Sequence, residues 1–266
     1  MLDNFGRKIS YLRISVTDRC NFRCVYCMPE TGADFVPHDR IMSFEEILRV
    51  AQAAVKAGIR KVRLTGGEPL TRRDIVTLVN LLSRLDGVDV LAMTTNGALL
   101  DKFARRLKRG GLSRVNVSLD TLDPIRFAER SRGGDIKKVL NGLVAAKAAG
   151  LEPIKLNCVV KESAQEPDAL AVAEFAKLHG FEARFIRQMN IEDGTYWVVQ
   201  GGTGGDCSQC NRLRLTSDGL IKPCLFSDLA YDVRELGPEE AIRQAIGAKP
   251  KEGRHSRVNK FHSIGG

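Results

Sequence analysis

The sequence predicts an α/β fold, a partial (β/α)6 TIM-like barrel followed by a small C-terminal loop-rich domain. Short β-branched runs alternate with longer helical stretches from about residue 9 to 188, which implies a parallel sheet with right-handed crossovers. The roughly six strand–helix units are too few for a closed eightfold barrel. Each strand is apolar on one face only, whereas strands covered by helices on both faces are almost continuously apolar.

Six segments have the composition of strands, namely residues 9–16, 60–65, 88–95, 112–120, 152–160 and 181–188. In the first segment, Leu12 and Ile14 share one face and Arg13 lies on the other. In the second segment, Leu64 opposes Arg63 in the same way. Because alternate residues of a strand point to opposite faces, this pattern predicts helices on the outside and a wet, polar interior.

The segments between the strands carry helix signals. Ser43 and Glu46 form a capping box at the start of the first helix, and Asp123 followed by a proline begins another. Glycines end several of the predicted helices, at Gly58, Gly150 and Gly180.

The alternation stops after Met189. A glycine-rich segment, 201–205, precedes "RLRLTSDGLIKPC", which predicts a short hairpin, and a helix is expected after Pro238. We therefore predict two domains, 1–189 for the partial barrel and 190–266 for the C-terminal domain.

Composition limits the classes of partner. The chain has 266 residues and a formal net charge of +9, which favours anionic partners. No run approaches the roughly 18 apolar residues that span a bilayer, and the N-terminus lacks the apolar stretch of a secretory signal. We expect a cytoplasmic protein with no membrane partner. Because no basic tail or lysine run is present, nucleic acid is a weaker candidate than a phosphorylated small molecule.

Six of the seven cysteines fall into two triplets. In a reducing compartment, clustered cysteines indicate metal binding or catalysis rather than disulfides. The seventh, Cys158, alternates with Leu156 and Val160 on an apolar face, so we interpret it as a packing residue.

The first triplet, Cys20, Cys24 and Cys27 in "CNFRCVYC", directly follows the first predicted strand. Loops at the carboxyl ends of barrel strands build active sites. Three thiolates suit an iron–sulfur cluster in which one iron stays open to another ligand. A structural zinc ion is the alternative, but it requires a fourth ligand that no nearby cysteine or histidine supplies.

The second triplet is Cys207, Cys210 and Cys224. Its spacing is compatible with a second iron–sulfur cluster, with a catalytic zinc ion that keeps one position open, or with a structural zinc ion whose fourth ligand is distant. Spacing alone leaves these alternatives open.

The first triplet resembles the signature of the radical S-adenosylmethionine (SAM) superfamily in its three-then-two spacing and in the aromatic residue before the last cysteine. The resemblance implies a [4Fe–4S] cluster whose open iron chelates SAM, and reductive cleavage of SAM to a 5′-deoxyadenosyl radical. "GGEP" and "NVSLD" occur in the expected order. By this resemblance the SAM contacts are Tyr26, Gly67, Ser118 and Met189.

The second triplet, with "NRLRLT" and "PCLF", resembles the GTP 3′,8-cyclase family of molybdenum cofactor biosynthesis. The match extends to "RISVTDRCNFRC", "RLTGGEPLTRRD", "TTNG" and the terminal "IGG". It implies that the second triplet holds another [4Fe–4S] cluster, whose open iron binds guanine, and that the product is 3′,8-cyclo-7,8-dihydroguanosine triphosphate. The GTP contacts implied are Arg13, Arg63, Thr94, Lys155, Arg212 and Arg214.

The same resemblance implies three catalytic residues. Arg184 matches an arginine that lines the cavity, and Gly265 and Gly266 match a tail that reaches into the active site. An electron donor and a separate downstream synthase for cyclic pyranopterin monophosphate are the implied partners. Oligomeric state is not evident from the sequence, and a homodimer is one of the options.

The sequence departs from the family pattern in the link between Met189 and Cys207, which is dozens of residues shorter, and at Arg187, where the family has glutamate. Two other functions are compatible with the cysteines. One is a radical SAM maturase that modifies a peptide or protein and carries an auxiliary cluster. The other is a zinc-bearing nucleic-acid-binding module, which leaves "GGEP" unexplained.

Overall fold

In the computed structural model, which describes residues 1–264, six parallel strands follow one another across a single sheet. The strands are β1 (Tyr11–Ser15), β2 (Lys61–Thr65), β3 (Val90–Thr95), β4 (Arg114–Ser118), β5 (Lys155–Val160) and β6 (Glu182–Arg187). The spatial order from β6 to β1 is the chain order, without the reversal that defines a doubly wound sheet. The predicted fold class, a partial TIM-like barrel, is confirmed.

Helices connect the parallel strands as predicted, and further helices follow the last strand of the chain. They are α1 (Phe44–Lys56), α2 (Ile75–Ser83), α3 (Leu100–Arg109), α4 (Pro124–Ser131), α5 (Ile136–Ala148), α6 (Pro167–His179), α7 (Val233–Leu236), α8 (Pro238–Gly247) and α9 (Phe261–Ile264). Ser43 and Glu46 form the predicted capping box, and the Asp123 side chain caps α4. Within residues 1–264, no helix has the length and apolarity needed to cross a membrane.

The two faces of the sheet differ as the strand pattern indicates. Leu12, Ile14 and Leu64 are fully buried and belong to the main apolar core. Cys158 is part of the same core, and its thiol lies 3.6 Å from the main-chain oxygen of Asp120. The opposite face carries the polar side chains, and both candidate cavities open there.

The C-terminal part extends the same sheet beyond β1. β7 (Arg212–Leu215) pairs in parallel with β1, and β8 (Leu220–Lys222) and β9 (Tyr231–Asp232) follow antiparallel. The predicted hairpin is therefore confirmed. A second, small apolar cluster comprises Ile191, Leu225, Phe226 and Ile264. The division into domains 1–189 and 190–266 stays a prediction, since strands on both sides of the boundary share one sheet.

Candidate active site

The first cysteine triplet lies in the loop after β1 and lines a cavity of about 180 Å³, here called the first cavity. The loop is tightly turned, because the Cys27 amide donates to the Cys24 carbonyl over 2.9 Å and the Phe22 amide donates to the Cys20 sulfur over 3.3 Å. All three cysteines are free thiols. The three cysteines therefore line one cavity together.

Burial governs the protonation of this triplet. It raises the pKa of Cys20 to about 11 and the pKa values of Cys24 and Cys27 to about 12. The Glu68 carboxylate adds to the rise at Cys20, and neighbouring thiolates add to it at Cys24 and Cys27. Thiolates at these positions require a cation to offset their charge. The donor set therefore fits a cationic iron–sulfur group better than free ionised cysteines.

Two glycines after β2 let the chain pass close to the triplet loop. A Cβ atom on Gly66 would lie 2.3 Å from the Thr17 carbonyl oxygen, and one on Gly67 would lie 2.2 Å from the Arg19 carbonyl oxygen. Gly66 also has a φ of +142°, which favours glycine. Gly67, a predicted SAM contact, lines the first cavity.

Glu68 is a residue that the sequence analysis did not single out. Its buried carboxylate accepts hydrogen bonds from the Leu70 amide (3.0 Å), the Thr95 hydroxyl (2.7 Å) and the Asn96 amide (2.6 Å). Burial raises its pKa to about 7. Glu68 thus ties the end of β2 to the end of β3 beside the first cavity.

The other predicted SAM contacts, Tyr26, Ser118 and Met189, also line the first cavity. The Tyr26 hydroxyl donates to the Asp120 carboxylate over 2.9 Å, and Asp120 also accepts from the Val159 amide over 2.8 Å. Asp120 was not predicted, although it lies in "NVSLD". It fixes the orientation of the Tyr26 ring.

A second cavity, of about 210 Å³, adjoins the first and is here called the basic cavity. Its base is built from β7, β1 and β2, where Arg13 pairs in register with Arg63 on one side and Arg214 on the other. Two residues earlier along the same strands, Tyr11 pairs with Lys61 on one side and with Arg212 on the other. Adjacent parallel strands thus stack cationic side chains in two layers.

The basic cavity has a strong excess of positive charge. Its cationic lining residues are Arg13, Lys61, Arg63, Arg184, Arg212, Arg214 and Lys249, and Asp206 is the one carboxylate among the lining residues that the structure describes. Burial lowers the pKa of Lys61 to about 8 and of Arg214 to about 10. A polyanionic ligand would offset the mutual repulsion of these positive charges.

Arg63 is held in place by neighbouring hydroxyl groups. Its Nε–H donates to the Tyr11 hydroxyl over 2.5 Å, and its Nη1 donates to the Thr94 hydroxyl over 3.0 Å. Burial opposes ionisation of Tyr11, but the charges of Arg63, Arg13 and Lys61 outweigh it and lower the Tyr11 pKa to about 8. Tyr11 and Lys61 were not predicted, although strand parity places both on the face of Arg63.

The structure gathers most of the predicted GTP contacts in the basic cavity and leaves one outside. Arg184 lines the cavity, together with Thr94 and the arginines of β1, β2 and β7. Lys155 does not line it; its ammonium group pairs with the Glu182 carboxylate at the start of β6. The terminal Gly265 and Gly266 lie outside the described residues.

The second triplet lines the wall of the basic cavity. The Tyr196 hydroxyl lies 3.2 Å from the Cys207 sulfur. Burial raises the pKa of Cys224. At Cys210 the charges of Lys249 and Arg212 outweigh burial and lower the pKa. Protein cations thus favour a thiolate here.

The short link, residues 190–206, forms another wall of the basic cavity. Phe185 in β6 exchanges two main-chain hydrogen bonds with Gln200, at 3.0 and 3.1 Å, and the Arg187 guanidinium lies 3.8 Å from the centre of the Trp197 ring. Arg212 donates to the Thr203 carbonyl and hydroxyl oxygens. The link therefore extends the edge of β6 and closes that side of the cavity.

The two cavities meet at shared lining residues, which are Thr94, Asn157, Ile186 and Met189. A ligand in the basic cavity can therefore contact one in the first cavity. Across residues 1–264, no three cysteine, histidine or acidic side chains converge so as to hold a single metal ion.

Comparisons with known proteins agree with this arrangement. The sequence model of the Radical SAM superfamily matches residues 14–176, which include the first triplet and strands β2 to β5.

Curated relatives match over nearly the whole chain. The GTP 3′,8-cyclase of Peptoclostridium acidaminophilum is 41% identical, covering 95% of this chain and 93% of its own. That of Thermodesulfovibrio yellowstonii is 39% identical, covering 92% of each. The first of these alignments has 301 positions against 266 residues here, so it places gaps in this chain, as expected for a shortened form.

Solved structures share the fold at lower identity. Native anSMEcpe with bound AdoMet matches with a TM-score of 0.64 and 16% identity, over 91% of this chain and 81% of that one. SuiB of Streptococcus suis, bound to S-adenosylmethionine, matches with a TM-score of 0.55 and 17% identity, over 70% of this chain and 42% of that one. At these identities the likeness concerns the fold alone.

Proposed function

Because the chain belongs to the radical SAM superfamily and, within it, to the GTP 3′,8-cyclase family, we propose that it converts GTP to 3′,8-cyclo-7,8-dihydroguanosine triphosphate. In this reaction, a hydrogen atom is removed from C3′ of the ribose, and the C3′ radical adds to C8 of the guanine in the same molecule, so that the C8–N7 double bond becomes a single bond. One electron from the electron donor and one proton then convert the resulting nitrogen radical to N7–H. The product belongs to the biosynthesis of the molybdenum cofactor.

The observation that carries the proposal is the charge of the basic cavity beside the first cavity. Seven cationic side chains line it against the single carboxylate of Asp206, counted among the described lining residues. A triphosphate needs several cations, and arginine guanidinium groups match phosphate oxygens with two parallel hydrogen bonds. We assign triphosphate binding to Arg13, Arg63, Arg212 and Arg214, with Arg184 and Lys61 beside them.

The first triplet would hold a [4Fe–4S] cluster, and the surrounding residues fit SAM. When bound, the cluster and SAM supply the one-electron chemistry that generates a carbon radical. Tyr26, Gly67, Ser118 and Met189 are the proposed SAM contacts, and Asp120 orients Tyr26 by its hydrogen bond.

We extend the proposal to a second [4Fe–4S] cluster on Cys207, Cys210 and Cys224, with guanine as the ligand of its open iron. Two features support it. The three cysteines line the cavity that the arginines also line, and Lys249 and Arg212 favour the thiolate of Cys210. Binding the base at one end and the triphosphate at the other would fix the ribose between them.

The remaining parts of the proposal concern partners and the tail. An electron donor must supply the reducing equivalents, and a separate synthase would consume the product. A cytoplasmic location is included because all seven cysteines are free thiols. Lys155 is retained as a GTP contact that would have to leave Glu182, and Gly265 and Gly266 as a tail that enters the active site. Oligomeric state is left open, with a homodimer as one option.

The experiment is anaerobic purification and cluster reconstitution, followed by analysis of iron, sulfide and zinc and by incubation with reductant, SAM and GTP. About eight irons per chain and cyclised GTP would support the proposal. Iron and 5′-deoxyadenosine without conversion of GTP would refute the cyclase and favour a radical maturase. Zinc without iron would refute both.

A further inference from the structure

Two asparagines occupy the boundary between the cavities. Asn116 on β4 lines the basic cavity, and Asn157 on β5 lines both cavities. Ser118, two residues after Asn116, lines only the first of the two. The boundary between the SAM side and the basic side therefore crosses β4 and β5 at this pair.

The pair is joined by a hydrogen bond that leaves one oxygen unused. Asn116 Nδ2 donates to Asn157 Oδ1 over 3.3 Å. Asn116 is only 4% exposed, and its Oδ1 is buried with no hydrogen-bond partner among residues 1–264. A buried polar atom without a partner costs free energy, so its presence in a residue that lines the cavity indicates a ligand group that pairs with it when the amide turns toward the cavity.

The chemistry of an amide oxygen restricts what that ligand group is. Asn116 Oδ1 is an acceptor and needs an O–H or N–H donor. Phosphate oxygens at neutral pH are acceptors, so the triphosphate would not satisfy it. The guanine carries donors, but the proposed function places it at the second triplet. The hydroxyl groups of the ribose remain.

We propose that Asn116 and Asn157 bind the ribose of the substrate nucleotide, with Asn116 Oδ1 accepting a hydrogen bond from the 2′- or 3′-hydroxyl. This inference rests on the proposed function. The pair is rigid because it bridges neighbouring strands, and Asn157 faces both cavities. The asparagine pair would hold C3′ of the ribose toward the first cavity and make the site selective for ribonucleotides.

The test measures binding without turnover. GTP, 2′-deoxy-GTP and 3′-deoxy-GTP are titrated against the reconstituted protein in the absence of SAM, for the unchanged chain and for Asn116→Ala. The unchanged chain should bind the analogue that lacks the contacted hydroxyl, either 2′-deoxy-GTP or 3′-deoxy-GTP, about tenfold more weakly than GTP. Asn116→Ala should bind GTP about tenfold more weakly and lose that preference, because both changes remove the same hydrogen bond.

Two further variants separate binding from folding. Asn116→Asp keeps an acceptor at the position and should retain the preference for GTP over the analogue, although its charge weakens binding of all three nucleotides. Asn80→Ala changes a half-buried asparagine of α2 that lines neither cavity and should leave all three affinities unchanged. Thermal unfolding midpoints of each variant identify one that is misfolded.

A second readout is the ratio of 5′-deoxyadenosine formed to GTP cyclised, which should rise severalfold in Asn116→Ala and in Asn157→Ala. If the unchanged chain binds all three nucleotides equally, or if the losses from Asn116→Ala and from the missing hydroxyl are additive, the ribose assignment is wrong. If the unchanged chain does not bind GTP at all, the proposed function itself fails.

Discussion

The first cavity and the basic cavity share a wall but differ in charge. The first is lined by three partly buried cysteines, with the buried carboxyl groups of Glu68 and Asp120 next to it. The basic cavity has seven cationic lining residues. The first therefore suits a positively charged group, such as an iron–sulfur cluster with a sulfonium ligand, and the second suits a polyanion. Under the proposed function, the protein separates cofactor from substrate by the sign of the local charge.

The two cysteine triplets also differ in the sign of the charges around them. Burial raises the pKa of Cys24 to about 12, and neighbouring negative charges act in the same direction. At Cys210, the positive charges of Lys249 and Arg212 reverse the effect of burial. The first triplet depends on its metal group for compensation, whereas the second is partly compensated by the protein.

The largest effect should come from removing one ligand of each triplet. Cys24→Ala should abolish both 5′-deoxyadenosine formation and GTP conversion, because SAM loses its cluster. Cys210→Ala should abolish GTP conversion while 5′-deoxyadenosine still forms. Each variant should lose about four irons. Equal losses of 5′-deoxyadenosine in both variants would mean that the triplets are not functionally distinct.

The next effect concerns the charge of the basic cavity. Arg63→Met should weaken GTP binding roughly 10- to 100-fold, because a charged hydrogen bond contributes about 1.5–3 kcal/mol. Its effect on SAM binding should be small. Arg73→Met is the matched control, since the Arg73 side chain is 96% exposed. If Arg63→Met loses more affinity for SAM than for GTP, relative to the unchanged chain, the division between the cavities is contradicted.

Tyr11→Phe should have a smaller effect on the same cavity. It removes the acceptor of the Arg63 Nε–H bond, so Arg63 is less well oriented and GTP binds several-fold more weakly. The free energy of unfolding should fall by about 1–3 kcal/mol. Tyr231→Phe, on β9 and outside both cavities, is the control. Unchanged GTP affinity in Tyr11→Phe would show that Arg63 does not need the hydrogen bond to the Tyr11 hydroxyl to be positioned.

Tyr11 and Lys61 also predict a pH dependence. Both have a pKa of about 8. As pH rises from 7 to 9, Tyr11 gains a negative charge and Lys61 loses a positive one, so GTP affinity should fall. Tyr11→Phe should reduce this fall relative to the unchanged chain. Titrations of GTP at several pH values measure it, and a rise in affinity above pH 8 would contradict the charge assignment.

The smallest expected effect tests Lys155. Glu182→Gln removes its carboxylate partner, which is 50% exposed, so the pair contributes little to stability. Lys155 pairs in register with Asn116 of the cavity wall, and its released ammonium group should strengthen GTP binding about two- to threefold. If Lys155→Met and Glu182→Gln both leave GTP affinity unchanged, Lys155 is not a GTP contact.

The strand–helix alternation and the parity of the strands predict the fold and the interior position of Arg13 and Arg63, whereas Thr94, Arg184, Arg212 and Arg214 were predicted from the family resemblance. Arg13 and Arg63 were placed inside because they alternate with buried apolar residues, and a side chain's face follows directly from its position in a strand. Lys155 has the same parity, but its pairing with Glu182 depends on the register between β5 and β6. Spacing within one strand does not contain that information.

Other parts of the site depend on contacts between distant segments. Glu68 and Asp120 lie inside recognised motifs, yet their hydrogen bonds to β3 and to Tyr26 appear only in three dimensions. The link 190–206 is short and glycine-rich, with no periodic pattern. Its role as a cavity wall results from pairing at the edge of β6, which local sequence does not predict.

The central claim is that the ribose of GTP lies where the two cavities meet. The most direct test is to incubate the reconstituted enzyme with SAM, reductant and GTP deuterated at C3′, and to measure deuterium in 5′-deoxyadenosine by mass spectrometry. We predict that 5′-deoxyadenosine acquires one deuterium atom as GTP is cyclised. Formation of 5′-deoxyadenosine without deuterium, in the presence of bound GTP, would contradict the account.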